Sequence, residues 1–206
     1  LTIFNLFLTG GTLSGIDAIT NATPLNVYRQ AKDAIANSET LSTENIQEAY
    51  NAMSQLSDSY WNLFSGRIGG CIGETSAMLL LIGAIYLIYK RYISLKIPLS
   101  YIGTVALLTW VFGGTEGLFS GDPIFHVLSG GLMLGAFYMA TDMVTSPVTY
   151  KGRIYFGIGC GVLTVVIRLV GGYPEGVSYS ILLMNLTVPL IDRYTKPKVF
   201  GEVKKK

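Results

Sequence analysis

Four ionisable side chains stand in or beside strongly apolar stretches of this sequence: Glu74, Glu116, Asp142 and Arg168. A charge surrounded by hydrocarbon is costly unless it is paired. Such groups therefore either tie helices together as ion pairs or line the path of an ion. Both readings stay open here, with about equal weight. His126 is the only histidine. A proton relay or ligand role is the sharper reading of it, and a hydrogen-bonded interfacial histidine the blander and weightier one. No P-loop, GxGxxG, CxxC or HExxH pattern occurs. Without a second histidine or clustered cysteines, a metal centre built from protein ligands is disfavoured. One further stretch draws notice: Asp17-Ala18-Ile19-Thr20-Asn21-Ala22-Thr23-Pro24. Taken alone it is a polar turn entering a helix, with Thr23 as the cap and Pro24 at the first helical position.

The elements that must position these residues follow from composition. Charged residues make up 14% and apolar residues 50% of 206 residues, and mean hydropathy is +0.45. An ordinary soluble domain carries about 25% charge. Disorder is excluded by the apolar content and low net charge. Nucleic-acid binding is disfavoured, because a net charge of +2 comes with no basic stripe. Cys71 and Cys160 sit in apolar runs and read as small hydrophobes rather than a disulfide. An integral membrane protein with one soluble insertion remains. The opening run Leu1-Thr2-Ile3-Phe4-Asn5-Leu6-Phe7-Leu8 reads as the tail of an earlier element, so the sequence is expected to be part of a longer membrane protein.

Residues 1–9 are thus expected to end a preceding membrane element, and 10–62 to form a polar insertion. Within that insertion, helices are predicted over about 25–36 and 44–56. Residues 63–192 are expected to form the transmembrane bundle, and 193–206 a basic tail. Five apolar segments, roughly 69–89, 98–114, 124–145, 154–171 and 177–191, each approach the ~20 residues of a bilayer crossing. Ser146-Pro147-Val148-Thr149 is expected to end the third. Abundant glycines, among them Gly157, Gly159 and Gly161, suit close helix packing.

Loop charge sets an orientation. Lys90, Arg91, Lys96, Lys151, Arg153, Arg193, Lys196, Lys198, Lys204, Lys205 and Lys206 fall on one face, which the positive-inside rule places in the cytoplasm. Five crossings then put residues 10–62 outside, with the loops near 115–123 and 172–176. Glu74 lies toward the outer end of its segment, Asp142 toward the inner end, and Arg168 near the outer end, within reach of Glu74, Glu116 or Glu175. Gly113-Gly114-Thr115-Glu116-Gly117 and Gly171-Gly172-Tyr173-Pro174-Glu175-Gly176 echo one another at a period of about 60 residues, as duplicated helical hairpins or as recurring surface turns.

Asp17–Thr23 resembles the D-x-x-[S/T]-G-A-[T/S] signature of proteins that carry FMN on the last Thr or Ser through a phosphoester. Gly73-Glu74-Thr75-Ser76-Ala77, Gly121-Asp122-Pro123-Ile124-Phe125-His126, Ala140-Thr141-Asp142 and Thr145-Ser146-Pro147-Val148-Thr149 extend the likeness. They are similar to the family of covalent-FMN membrane proteins typified by the D subunit of the Rnf electron-transport complex. The B subunit of the sodium-pumping NADH:quinone oxidoreductase is a more distant member. The likeness covers nearly the whole chain and corresponds to the C-terminal two-thirds of such a protein. Asn21 stands where the signature has Gly, and Met143 where the family has Pro; Asn accepts left-handed backbone better than most residues.

What the resemblance implies can be stated by residue. Thr23 would be the ester oxygen, Asp17 would orient or activate it, and Thr20 and Ala22 would complete the recognition sequence. The function implied is a membrane subunit of an ion-translocating ferredoxin:NAD+ oxidoreductase, in a bacterial or archaeal cytoplasmic membrane. It would relay electrons through covalent FMN, with a second, non-covalent riboflavin also in the family picture, and couple them to Na+ or H+ transport. Glu74, Asp142 and Arg168 are the ion-path candidates. Implied partners are a second covalent-flavin subunit, small membrane subunits, and iron–sulfur and NAD-binding subunits, besides membrane lipid. Nothing in this chain is expected to bind NAD or ferredoxin directly. The implied fold is all-α, a helical bundle of related halves similar to urea transporters. The rival reading is a non-redox secondary transporter or channel, which has no use for Asp17–Thr23.

Overall fold

A computed structural model describes Leu25, Tyr28, Arg29 and residues 60–66, 76–114, 118–171 and 175–195. Among them every regular element is helical. The order is α1 (Tyr60–Ser65), α2 (Ala77–Tyr89), α3 (Lys96–Phe112), α4 (Pro123–Leu128) and α5 (Leu132–Leu134). A π-helical turn (Gly135–Met139), α6 (Tyr150–Leu169) and α7 (Val177–Thr195) complete it. Most of the expected insertion, Asp17–Thr23, Cys71, Glu74, Glu116 and the tail beyond Thr195 lie outside the described residues.

Local chemistry sets the helix ends. Ser76 Oγ accepts from Leu79 N to cap α2, Asp122 Oδ1 accepts from Ile124 N and Phe125 N ahead of Pro123 in α4, and Thr149 Oγ1 accepts from Gly152 N to cap α6. Pro147 is buried just upstream, where the sequence places the end of the third apolar segment.

The core pair is α3 and α6. Gly157 lies against Ile97 and Ser100, and Gly161 against Tyr101 and Thr104, so the two helices run parallel. A Cβ at Gly157 would come 2.9 Å from the Ile97 carbonyl oxygen, and one at Gly161 would come 2.6 Å from Thr104 Cβ. Only glycine permits this approach at both turns. In hydrocarbon, where burial supplies no driving force between helices, such close packing holds a bundle together. Gly159 turns the other way, onto Met184 of α7. Ser180 meets Thr164 and Thr195 meets Thr149, so α7 runs antiparallel to α6. Tyr101, Val105, Leu132, Ala136, Phe156, Cys160 and Ile181 fill the space between these helices. Cys160 is a free, fully buried thiol packed as a small hydrophobe.

Parallel α3 and α6 start at the same end, and the described loop bases gather there. Arg153 reaches Ser94 Oγ, and Lys96 Nζ lies 3.3 Å from the Tyr150 ring centroid. The exterior is apolar: Leu79, Ile85, Leu99, Leu107, Leu182 and Leu186 all point outward. So many exposed large apolar side chains are what a surface facing hydrocarbon or other protein carries. By length and composition α6 alone among the described helices is long and apolar enough to cross a membrane, and α2 and α3 are apolar but shorter.

The third apolar segment departs from an uninterrupted helix over 124–145. It breaks at Ser129-Gly130-Gly131, where Gly130 has φ +73°. It then continues as one turn of α5 and a π-helical turn closed by Ala140 N donating to Gly135 O at 2.7 Å. Non-helical backbone inside an apolar bundle persists only where protein satisfies its polar groups.

Candidate functional site

The group that satisfies the break is Arg168, in the last turn of α6. It is 6% exposed. Its Nη1 donates to His126 O at 2.6 Å, Nη2 to Ser129 O at 3.4 Å and Nε to Glu175 O at 3.1 Å. The first acceptor is in the last turn of α4 and the second is its C-cap residue, where carbonyls have no intrahelical partner. The planar fork of arginine supplies donors in several fixed directions, so one side chain serves α4 and the turn before α7 together. A Cβ at Gly130 would approach Nη2 to 3.3 Å and Leu25 Cδ2 to 3.5 Å. Glycine at 130 thus provides both the left-handed backbone and the room for the guanidinium.

Onto this end docks the segment just after Asp17–Thr23. Leu25 is 3% exposed and packs with Leu63 of α1 and Phe125 of α4. The Tyr28 ring lies 5.1 Å from that of Phe125 and meets the His126 imidazole edge-on at 5.3 Å. Its hydroxyl donates to Gly113 O at 3.2 Å, past the end of α3. Burial pushes the Tyr28 phenol above its ordinary range, and the Asp122 carboxylate adds to the rise, so the phenol stays a neutral donor. Tyr60 OH donates to Asp122 Oδ2, fastening α1 to the cap of α4. A buried leucine and a tyrosine set against Phe125 and His126 therefore fix Leu25 and Tyr28 against the broken element.

A second polar cluster lies one turn deeper. Tyr101 OH, Thr164 Oγ1 and Ser180 Oγ form a triangle with sides of 2.6, 3.0 and 2.7 Å. All three residues are fully buried. Thr164 Oγ1 also reaches Cys160 O, and Ser180 Oγ reaches Val177 O. Three hydroxyl protons serve five contacts, so the network ties α3, α6 and α7 together with more acceptors than donors.

The sequence-derived candidates fall as follows. Arg168 and His126 meet at the break, through a guanidinium and a main-chain carbonyl. Asp142 sits at the opposite, basic end, exposed in the turn after the π-helical segment, and accepts from Thr145 Oγ1 at 3.1 Å. The structure does not bring Asp142 near Arg168. Asp17, Thr20, Ala22, Thr23 and Glu74 lie outside the described residues. No group of His, Cys, Asp and Glu suited to hold a metal occurs among the described residues. Sequence reasoning missed the broken helix and the hydroxyl triangle. Paired Gly130-Gly131 in mid-segment, and Thr164 and Ser180 within apolar runs, were the available signals.

A helical bundle with an apolar exterior, a helix interrupted in mid-segment and a buried arginine holding the interruption is built as membrane transport proteins are. The chain belongs to the NQR2, RnfD, RnfE family, whose model matches residues 2–201. It is 54% identical over 188 residues to the D subunit of the proton-translocating ferredoxin:NAD(+) oxidoreductase complex of Clostridium ljungdahlii, covering 91% of this chain and 53% of that protein. It is 56% identical over 145 residues to the Na(+)-translocating counterpart of Acetobacterium woodii, covering 69% and 43%. Against the D subunit of the ion-translocating oxidoreductase complex of Stutzerimonas stutzeri, identity is 44% over 154 residues, covering 73% and 44%. The chain spans about half the length of these relatives.

Proposed function

We propose that this chain is part of a membrane subunit of an ion-translocating ferredoxin:NAD+ oxidoreductase complex, carrying FMN as a phosphoester on Thr23. The observation that carries the reading is the docking of Leu25 and Tyr28. The residues immediately after the Asp17–Thr23 motif are anchored on α1 and α4 at the end of the bundle away from the loop bases. A covalent flavin needs an acceptor hydroxyl on a segment held at a fixed place, and these anchors supply the holding. Asp17 orients or activates the Thr23 hydroxyl during attachment, and Thr20 and Ala22 complete the recognised sequence. The flavin, when bound, supplies one- and two-electron redox chemistry, and the protein sets its position and surroundings.

Five crossings place the loop bases in the cytoplasm and residues 10–62 outside, in a bacterial or archaeal cytoplasmic membrane. The domain boundaries at 9, 62 and 192 follow from the same scheme, as does a larger bundle of related, urea-transporter-like halves. Glu74 and Asp142 serve opposite ends of an ion path, and Arg168 positions the broken helix between them. The names of the two relatives above divide between protons and Na+, so either ion fits this reading. Partners are a second covalent-flavin subunit, small membrane subunits, and iron–sulfur and NAD-binding subunits; a non-covalent riboflavin completes the cofactor set. The test is flavin fluorescence of the denatured protein on a gel. A fluorescent band from the unaltered protein that vanishes in Thr23→Ala supports the proposal, and a dark band from the unaltered protein favours a non-redox transporter.

A further inference from the structure

At the basic end of the bundle, the turn between α2 and α3 and the stretch between the π-helical turn and α6 enclose a half-open cavity of about 520 Å³. Arg91, Tyr92, Ser94, Thr141, Ser146 and Arg153 are the polar residues of its lining, and no carboxylate is among the lining residues. Two positive charges and four hydroxyls in a space of this size suit a small anionic group.

The two arginines are presented to the cavity differently, Arg153 by side-chain hydrogen bonds and Arg91 by its backbone turn. Arg153 donates from Nε to Pro147 O at 3.0 Å and from Nη1 to Ser94 Oγ at 3.4 Å. These bonds fix the plane of its guanidinium across the cavity wall. Arg91 has φ +59°. It ends α2 in a closed turn, Arg91 N donating to Ile88 O at 2.9 Å and Tyr92 N to Leu87 O at 3.0 Å. Glycine usually occupies this left-handed position, because it carries no steric cost there. An arginine in its place keeps a strained backbone and gains a charge at the cavity. Such strain is characteristic of ligand-binding positions.

The surroundings indicate which anion. Tyr89, Tyr92, Tyr150 and Tyr194 are exposed around the same end. A belt of exposed tyrosine beside lysine and arginine marks the headgroup level of a bilayer. The nearby carboxylates already have partners: Asp142 accepts from Thr145 Oγ1, and Asp192 accepts at 3.2 Å from the main chain of Val148, on the cavity wall. Lys96 lies over the Tyr150 ring.

We propose that this cavity is a phosphate site for the headgroup of an anionic phospholipid, gripped by Arg91 and Arg153 with Ser94 and Ser146 alongside. The inference rests on the bundle lying in a membrane and not on the flavin assignment, so loss of one leaves the other standing. The phosphodiester of phosphatidylglycerol accepts the guanidinium donors, while its acyl chains lie along the apolar exterior beside the cavity. In phosphatidylcholine the adjoining choline cation opposes the same arginines.

The experiment uses the full purified protein in zwitterionic detergent, with bound lipid counted by native mass spectrometry and the melting temperature followed in parallel. Phosphatidylglycerol should be retained and should raise the melting temperature, and phosphatidylcholine should do neither. Arg91→Gln and Arg153→Gln should each weaken retention about fivefold, as removal of one basic side chain at an anionic headgroup does. Arg193→Gln, at the same end but outside the cavity lining, should leave it unchanged. Arg91 is exposed, so its substitution tests binding even if Arg153→Gln fails to fold. Unaltered retention in Arg91→Gln, or equal retention of both lipids, would overturn the proposal. Equal protection by inorganic phosphate at the same concentration would assign the cavity to a free anion and likewise overturn the lipid.

Discussion

Arg168, on the last turn of α6, donates to the main-chain oxygen of His126 at 2.6 Å, across from the end of a different helix. This bond places a guanidinium where α4 stops, and with the bonds to Ser129 O and Glu175 O it makes one side chain the closure of a discontinuous element. Arg168→Met should leave buried carbonyls without donors, at about 1–3 kcal/mol each. The melting temperature of the purified protein in detergent should fall by at least about 6 °C. Arg168→Lys keeps the charge but not the fork and should fall in between. A melting temperature unchanged in Arg168→Met would show that the break is held by something else.

Gly130 should tolerate no side chain. Its φ of +73° and the 3.3 Å approach of a Cβ to Arg168 Nη2 act together. Gly130→Ala is expected to cost about 1–3 kcal/mol, read as a lower melting temperature. Gly103→Ala, where a Cβ would meet nothing within 4 Å, is the control and should be neutral or slightly stabilising.

The hydroxyl triangle should show coupling. Thr164→Val keeps shape and removes the oxygen shared by Tyr101 and Ser180, costing about 1 kcal/mol. Tyr101→Phe should cost less in that background than alone, because its partner is already gone. A double-mutant cycle on thermal stability measures the difference, expected at about 0.5 kcal/mol or more. Strict additivity would mean the three hydroxyls act independently.

Orientation can be read by thiol labelling. Cysteines at Ser38 and Ser59 should react with an impermeant reagent added outside intact cells, and one at Ser94, beside Arg153 at the basic end, should react only after lysis. The reverse pattern would put Thr23 on the cytoplasmic face.

Glu74→Gln and Asp142→Asn should leave flavin content normal and lower Na+- or H+-linked electron transfer in membrane vesicles. Asp142 is exposed and its carboxylate accepts from Thr145 Oγ1, a neighbour in the same turn, so loss of assembly in Asp142→Asn is not expected. Full ion transport in both variants would remove the two carboxylates from the path.

Much of this architecture was legible in the sequence because long apolar helices announce themselves by composition. The ends of α2, α3, α6 and α7 fall within a few residues of the apolar segments, apart from the start of the first segment, which is outside the described residues. Ser146–Thr149 was read as the end of the third segment; the helical part of that segment stops earlier, at Met139, and α6 starts at Tyr150, before the expected 154. The interruption at Ser129–Gly131 was not legible, because hydropathy continues smoothly across it and glycine reads equally as a packing residue. Arg168 was visible as a buried charge, but main-chain carbonyls as its acceptors were not; Glu74 and Glu116, two of its expected acidic partners, lie outside the described residues. Those carbonyls are free only because α4 ends, and nothing local to Arg168 reports that. The flavin motif, by contrast, was visible only as a resemblance; its residue types alone describe a capped turn.

The central claim is tested most directly by mass spectrometry of the proteolytic peptide that contains Thr23, prepared from the assembled complex. The account predicts one FMN joined through its phosphate, with the fragment ions placing it on Thr23, and no adduct on that peptide in Thr23→Ala. An unmodified Thr23 peptide in active complex, or the adduct on Thr20, would contradict it.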